Sequence, residues 1–322
     1  YYNSSYYDNY YNSMYNGYYG YGSYGYGNSY ENYYDPDKSV QMYGLSVGWG
    51  KRLRWPDNYF QFSAELAFQR YVLKDWAYFP VTNGSCNNLN LTFTLSRNSV
   101  DNPIFPRNGS EFMFSLQLTP PYSLWDGVDY AAYDKTNQED YNKMFKWIEY
   151  YKWKFKSKTY TALTKGKRNL VLMTRAEFGF VGSYNKDKVS PFETFMMGGD
   201  GMTGSYTYAT ETIGLRGYDN GALTPYSDGR AYTRFSMELH FPFLLQPSST
   251  IYGLAFVEGG NAWTSLENFN PFSLKRSAGV GVRIFLPMIG LMGIDWAYGF
   301  DRPDGYDQRG GSNFHFIIGQ EF

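Results

Sequence analysis

The chain has 322 residues, and 29 Lys+Arg against 30 Asp+Glu leave a net charge of -1, which excludes a global electrostatic pull toward nucleic acid. One cysteine, Cys86, excludes an internal disulfide, and two histidines, His240 and His315, supply too few ligands for an ordinary metal site, so no metal or other cofactor is expected. Aromatic residues make up 21% of the chain while its mean hydropathy stays at -0.52, a pairing that calls for an unusual surface.

Residues 1–40 open the chain with YYNSSYYDNYYNSMYNGYYGYGSYGYG, rich in Tyr, Asn, Gly and Ser. This composition reads as an extracellular loop segment, or as a docking surface for another protein, since tyrosine gives contact area at low entropic cost. No initiator Met or signal peptide precedes it, and the chain reads as the back part of something longer.

From residue 41 onward the dominant period is two. Eleven segments alternate apolar and polar residues, near 41–52, 57–72, 88–101, 109–120, 143–159, 167–182, 229–243, 249–262, 273–286, 289–300 and 311–322. In YFQFSAELAF (59–68), Phe60, Phe62, Ala64, Leu66 and Phe68 share a face; in RAYTRFSMELHF (230–241), Arg234, Ser236, Glu238 and His240 oppose Phe235, Met237, Leu239 and Phe241. Long strands with one apolar and one charged face suit a transmembrane antiparallel β-barrel, whose outer face meets lipid and whose inner face meets a wet lumen. KWKFKSK (152–158) fixes the parity, because a lysine facing lipid at mid-membrane costs roughly 2–4 kcal/mol. Short connections alternate with long ones (near 72–88, 121–142, 183–228, 263–272 and 301–311), the pattern of short periplasmic turns and long extracellular loops.

Four motifs then resemble the BamA-type outer-membrane barrel-assembly factors, over residues 41–322. GGDGM…GLRGYDNG resembles that family's sixth outer loop, with Leu215, Arg216, Gly217 and Tyr218 on its signature. DNPIFPRNGSEF (101–112) is similar to its turn between two middle strands. FVEGGNAW (256–263) places Phe256, Glu258 and Gly260 on its Phe-x-Asp-x-Gly motif, with Glu where Asp is usual. FHFIIGQEF (314–322) resembles its C-terminal strand.

The resemblance implies a sixteen-stranded barrel, of which the last eleven strands and their long outer loops are present. It implies that loop 183–228 folds into the lumen, where Arg216 pairs with Glu258 beside the ring of Phe256. It makes the last strand half of a lateral gate, with Phe314, Phe316, Ile318 and Phe322 toward lipid and Gly319 at an inward bend. The implied function is a non-enzymatic core subunit that folds and inserts nascent outer-membrane β-barrel proteins. Its implied partners are those clients, accessory assembly lipoproteins, the bilayer and lipopolysaccharide, with no nucleic acid; surface proteins on the Tyr-rich segment are a further expectation. A TamA-like or two-partner-secretion translocator shares the fold, and a passive porin is the rival outside the family. No Ser/His/Asp constellation or phosphate loop points to catalysis.

Overall fold

The computed structural model describes residues 38–76, 81–166, 168–201, 210–224, 228–246, 248–288 and 290–318. Nearly all of the Tyr-rich opening, parts of the 183–228 connection, and Gly319 and Phe322 lie outside the described residues.

The expected strands are present as β1 (Ser39–Arg52), β2 (Phe60–Lys74), β3 (Gly84–Asn98), β4 (Gly109–Leu118), β5 (Tyr151–Ala162), β6 (Val171–Gly182), β9 (Ala231–Gln246), β10 (Ser249–Trp263), β11 (Lys275–Leu286), β12 (Gly290–Gly299) and β13 (Gly311–Ile318). They form an 11-stranded sheet in that order, every neighbouring pair antiparallel. Two further strands, β7 (Thr194–Met197) and β8 (Thr210–Ile213), pair in parallel inside the β6–β9 connection. At 4 residues each they are too short for a period of two to announce them.

The faces are inverted relative to a water-soluble sheet. Along β9, Met237, Leu239 and Phe241 are exposed, whereas Arg234, Ser236, Glu238 and His240 are buried. Apolar residues outside and charges inside is stable only where lipid surrounds the sheet. The outer face carries aromatic contacts across neighbouring strands, such as Phe62 stacked on Phe93 and Trp153 on Phe180.

The strand expected from residue 143 begins instead at Tyr151, because a helix, α1 (Gln138–Met144), precedes it. Asn137 caps α1 by accepting from the Glu139 amide at 2.9 Å, and Glu139 and Asp140 occupy its first turn. After it, Phe145, Ile148 and Tyr150 are buried against Trp76, Val81 and Phe192 from neighbouring connections. Three-dimensional packing of the outer loops thus overrides the local alternation.

The β3–β4 turn is shaped by its own side chains. Asn102 accepts from the Ile104 and Phe105 amides at 2.8 and 3.1 Å, and Asp101 accepts from the Arg107 and Asn108 amides at 2.9 and 3.2 Å. The turn thereby tucks Phe105 inward, its ring 5.2 Å from that of Tyr252 on β10.

Candidate functional site

The β6–β9 connection crosses the buried face of the sheet and is fastened there by Arg216. β10 supplies the first partner: its alternation puts Phe256, Glu258 and Gly260 on the buried side. Glu258 accepts from the Arg216 Nε at 3.1 Å, from its Nη2 at 2.7 Å and from its backbone amide at 3.0 Å. The guanidinium lies 3.5 Å from the centroid of the Phe256 ring. These are the pairings the family resemblance implies.

The site is larger than the motifs imply. Arg216 also donates through Nη1 to Asp295 on β12 at 2.9 Å and through Nη2 to Glu238 on β9. Its fork thus meets carboxylates from three strands, an arrangement suited to a planar guanidinium and unsuited to a lysine. Secondary partners complete the cluster: Arg234 reaches Glu258 at 3.2 Å, the Ser236 hydroxyl donates to Glu258 at 2.8 Å, and Arg283 donates to Asp295 through both Nη atoms. Burial alone would disfavour the Arg216 charge, but Glu258 and Glu238 outweigh it and hold its pKa well above the usual value.

The neighbours of Arg216 each have a place. Leu215 is fully buried in the core that includes Met197. Gly217 has φ +89, and a Cβ there would come within 2.9 Å of the Gly299 nitrogen and of the Ser277 Cβ. Its amide donates to His315 Nε2 on β13 at 2.9 Å. The Tyr218 hydroxyl donates to the Arg276 carbonyl at 2.7 Å. At Gly260 a Cβ would fall 2.3 Å from the Met197 methyl and 2.7 Å from the Thr233 carbonyl oxygen, so the loop lies directly on the strand.

A second fastening lies on β5. Lys152 reaches Glu193 and Glu211 of the connection at 3.1 and 3.2 Å, and Lys154 donates to both Glu211 oxygens at 2.9 Å. Burial alone would raise the Glu211 carboxyl, but Lys152 and Lys154 outweigh it and hold its pKa at about 2. The inward parity of these lysines is legible in the sequence; their partners are not, because β8 is too short to read. Glu238, Asp295 and His315 were equally open to a parity reading, since each alternates with outward apolar residues.

On β13, Phe314, Phe316 and Ile318 are exposed on the apolar face, while His315 and Ile317 are buried. β13 pairs with β12 and is the last strand of the sheet.

The sequence profile of the Omp85 superfamily domain matches residues 1–322. Among solved structures, BamA from Haemophilus ducreyi lacking POTRA domains 1–3 is similar with a TM-score of 0.60 and 19% identity, over 87% of this chain and 54% of that one. CdiB from Escherichia coli is similar with a TM-score of 0.46 and 14% identity, over 86% of this chain and 44% of that one. The chain therefore spans about half the length of these structures. No curated protein sequence matches it.

Proposed function

Because the chain belongs to the Omp85 superfamily and is the strand-rich part of an outer-membrane β-barrel, we propose that it acts in folding and inserting other outer-membrane β-barrel proteins. What a nascent barrel lacks in lipid is a partner for its edge hydrogen bonds, each unmet group costing several kcal/mol by order of magnitude. An edge strand of a finished barrel supplies that partner by β-augmentation. In this reading β13 is the templating strand, and Phe314, Phe316 and Ile318 keep it at the lipid boundary.

The observation that carries the reading is the hydrogen bond from the Gly217 amide to His315 on β13. Together with the Arg216 to Asp295 contact on β12, it ties the loop to the last two strands. Loop position and the state of the edge are then one mechanical unit. The work is templating, with no covalent step, and the clients are unfolded outer-membrane barrels delivered from the periplasm. Accessory lipoproteins are the expected helpers.

The test uses the complete protein in liposomes with an unfolded outer-membrane barrel as client, folding being followed by heat-modifiable gel shift. The parent should accelerate folding well above empty liposomes, and Arg216→Ala should lose most of that gain. A parent that passes ions or secretes a partner without accelerating folding would place the chain among translocators or pores instead.

A further inference from the structure

The turns joining β1 to β2, β3 to β4, β5 to β6, β9 to β10 and β11 to β12 all lie at one end of the sheet, the periplasmic end in the reading above. Their charge is divided between two halves of the rim. Lys51-Arg52-Leu53-Arg54 flanks the first turn, Arg107 lies in the second, and Lys165, Lys167 and Arg168 lie in the third, with Lys167 outside the described residues. LLQPSST (244–250) and LPMIGL (286–291), around the last two turns, carry no charge at all.

The acids at the basic half are occupied locally. Asp57 is taken by Arg97 at 2.8 Å, and Asp101 accepts from the amides of its own turn. Lys51, Arg54, Lys165 and Arg168 are exposed and form no ion pair among the described residues. The three basic turns follow one another in sheet order, so at ~4.8 Å per strand they occupy about 20 Å of continuous rim.

The faces of Lys51 and Arg97 tell what the basic half of the rim meets. Lys51 opposes Phe62 and continues the exposed row Leu45, Val47, Trp49, so its ammonium leaves from the lipid face and not from the lumen. Arg97 stands on the same face, opposite Phe60 and Phe112, its guanidinium 5.8 Å from the Phe60 ring and 5.5 Å from that of Tyr59. Beside Arg54, Trp55 is 82% exposed, and Leu163 in the third turn is exposed as well. Cations at the end of an apolar face, next to exposed Trp and Tyr, are placed to reach headgroups by snorkelling. A soluble partner would meet the tips of the turns and would give Lys51 no reason to stand on the lipid face.

We propose that the β1–β6 half of this rim is a binding band for anionic phospholipid headgroups of the adjoining leaflet, and that the half next to β13, whose turns carry no basic residue, is left without such lipids. Phosphodiester groups would sit among Lys51, Arg54, Lys165 and Arg168 with Trp55 at the glycerol level. The lipid then anchors the side of the barrel away from the last strand, so that movement is concentrated at the side next to β13. The inference takes the membrane orientation from the proposed function, but its readout is bound lipid and not client folding, so either can fail alone.

The experiment is native mass spectrometry of the complete protein in neutral detergent, incubated with equimolar phosphatidylglycerol and phosphatidylcholine. The parent should retain phosphatidylglycerol preferentially. Lys51→Gln/Arg54→Gln/Lys165→Gln/Arg168→Gln should lower that preference by at least about tenfold, given the usual contribution of each cation near an anionic surface. The heat-modifiable shift of this variant should be unchanged, which shows that it still folds. Neutralising Lys135, Lys143 and Lys146 on the opposite end should leave the preference intact. Equal retention of the two lipids by the parent, or an unchanged preference in the rim variant, would overturn the proposal. So would a rim variant that loses a periplasmic protein partner while keeping its phosphatidylglycerol.

Discussion

Two of the ion-pair fastenings of the β6–β9 connection, one at Arg216 and one on β5, are built on opposite plans. At one, a loop arginine is received by three carboxylates on strands; at the other, two loop carboxylates are received by two lysines on a strand. The arginine cluster is sealed, with the side chains of Glu258 and Asp295 fully buried, whereas those of Glu193, Glu211 and Lys154 keep about a quarter of their surface. At the first fastening one planar fork serves three acids at once; at the second, Lys152 is as buried as Arg216 but its acid partners and Lys154 keep solvent contact. The first fastening is therefore a fixed point of the fold, and the second is one that changes in conditions can release.

The largest way to break this contrast is Arg216→Ala. It leaves Glu258, Glu238 and Asp295 buried with like charges adjacent, and loss of one partner of a well-buried pair costs about 3–5 kcal/mol. The complete protein should show a correspondingly lower denaturant midpoint, and Arg216→Lys should recover only a minor part, since an ammonium cannot serve three acids in one plane. Full recovery by lysine would show that charge alone, without the fork, holds the loop.

Gly217→Ala comes next. Its φ of +89 and the 2.9 Å approach to Gly299 and Ser277 leave no room for a methyl without moving the loop off β11 and β12. A cost of about 1–3 kcal/mol is expected from the backbone conformation and the clash together. The loop should become protease-sensitive near residue 217 while the strands keep their heat-modifiable shift.

How much of this was legible depended on length scale. The eleven strands were readable because lipid enforces parity at every residue, so that each wrong face would cost free energy. Parity puts Phe256, Glu258 and Gly260 on one face, and only the family resemblance brings Arg216 to them. Glu238 and Asp295 were missed although their inward parity was plain, because the order of strands around the loop is not written locally: β9 and β12 are brought to Arg216 by the sheet order. α1 and the β7–β8 pair were hidden for a different reason. They are short, and outer-loop packing around Phe145 and Phe195 decides them, not a repeating pattern. Gly319 and Phe322, expected at the bend and end of the last strand, lie outside the described residues.

A smaller effect separates the loop's hold on β13 from its hold on β10. His315→Ala removes the acceptor of the buried Gly217 amide, an expected loss of about 1–3 kcal/mol in total. Arg216 keeps its three carboxylates in this variant. If the loop acts on the edge through this bond, His315→Ala should slow client folding more than its stability loss explains, and Gly217 amide exchange should accelerate selectively.

The smallest effect sharpens the second fastening through pH. The Glu211 carboxyl is held at about 2 against an ordinary 4.5, by Lys152 and Lys154 against the opposing effect of burial. A carboxyl depressed by folding contributes its full stabilisation above the unfolded value and loses it as pH falls through the folded one. The β5 fastening should therefore hold at pH 7 and weaken progressively from about pH 4.5 down to about 2. The Arg216 cluster also contains carboxylates, so the two must be told apart by location: acid should first expose the backbone around β7 and β8 to an acid-active protease. Glu211→Gln, which removes the titrating group while keeping its shape, should show that exposure already at pH 7 and little further change on acidification. With partial solvent access the pair is worth about 1 kcal/mol, nearer to exposed pairs than to buried ones. If the β7–β8 segment instead stays protected at pH 3 while the residues around Arg216 open, the order of strength is reversed, and the lysine pair is the fixed point.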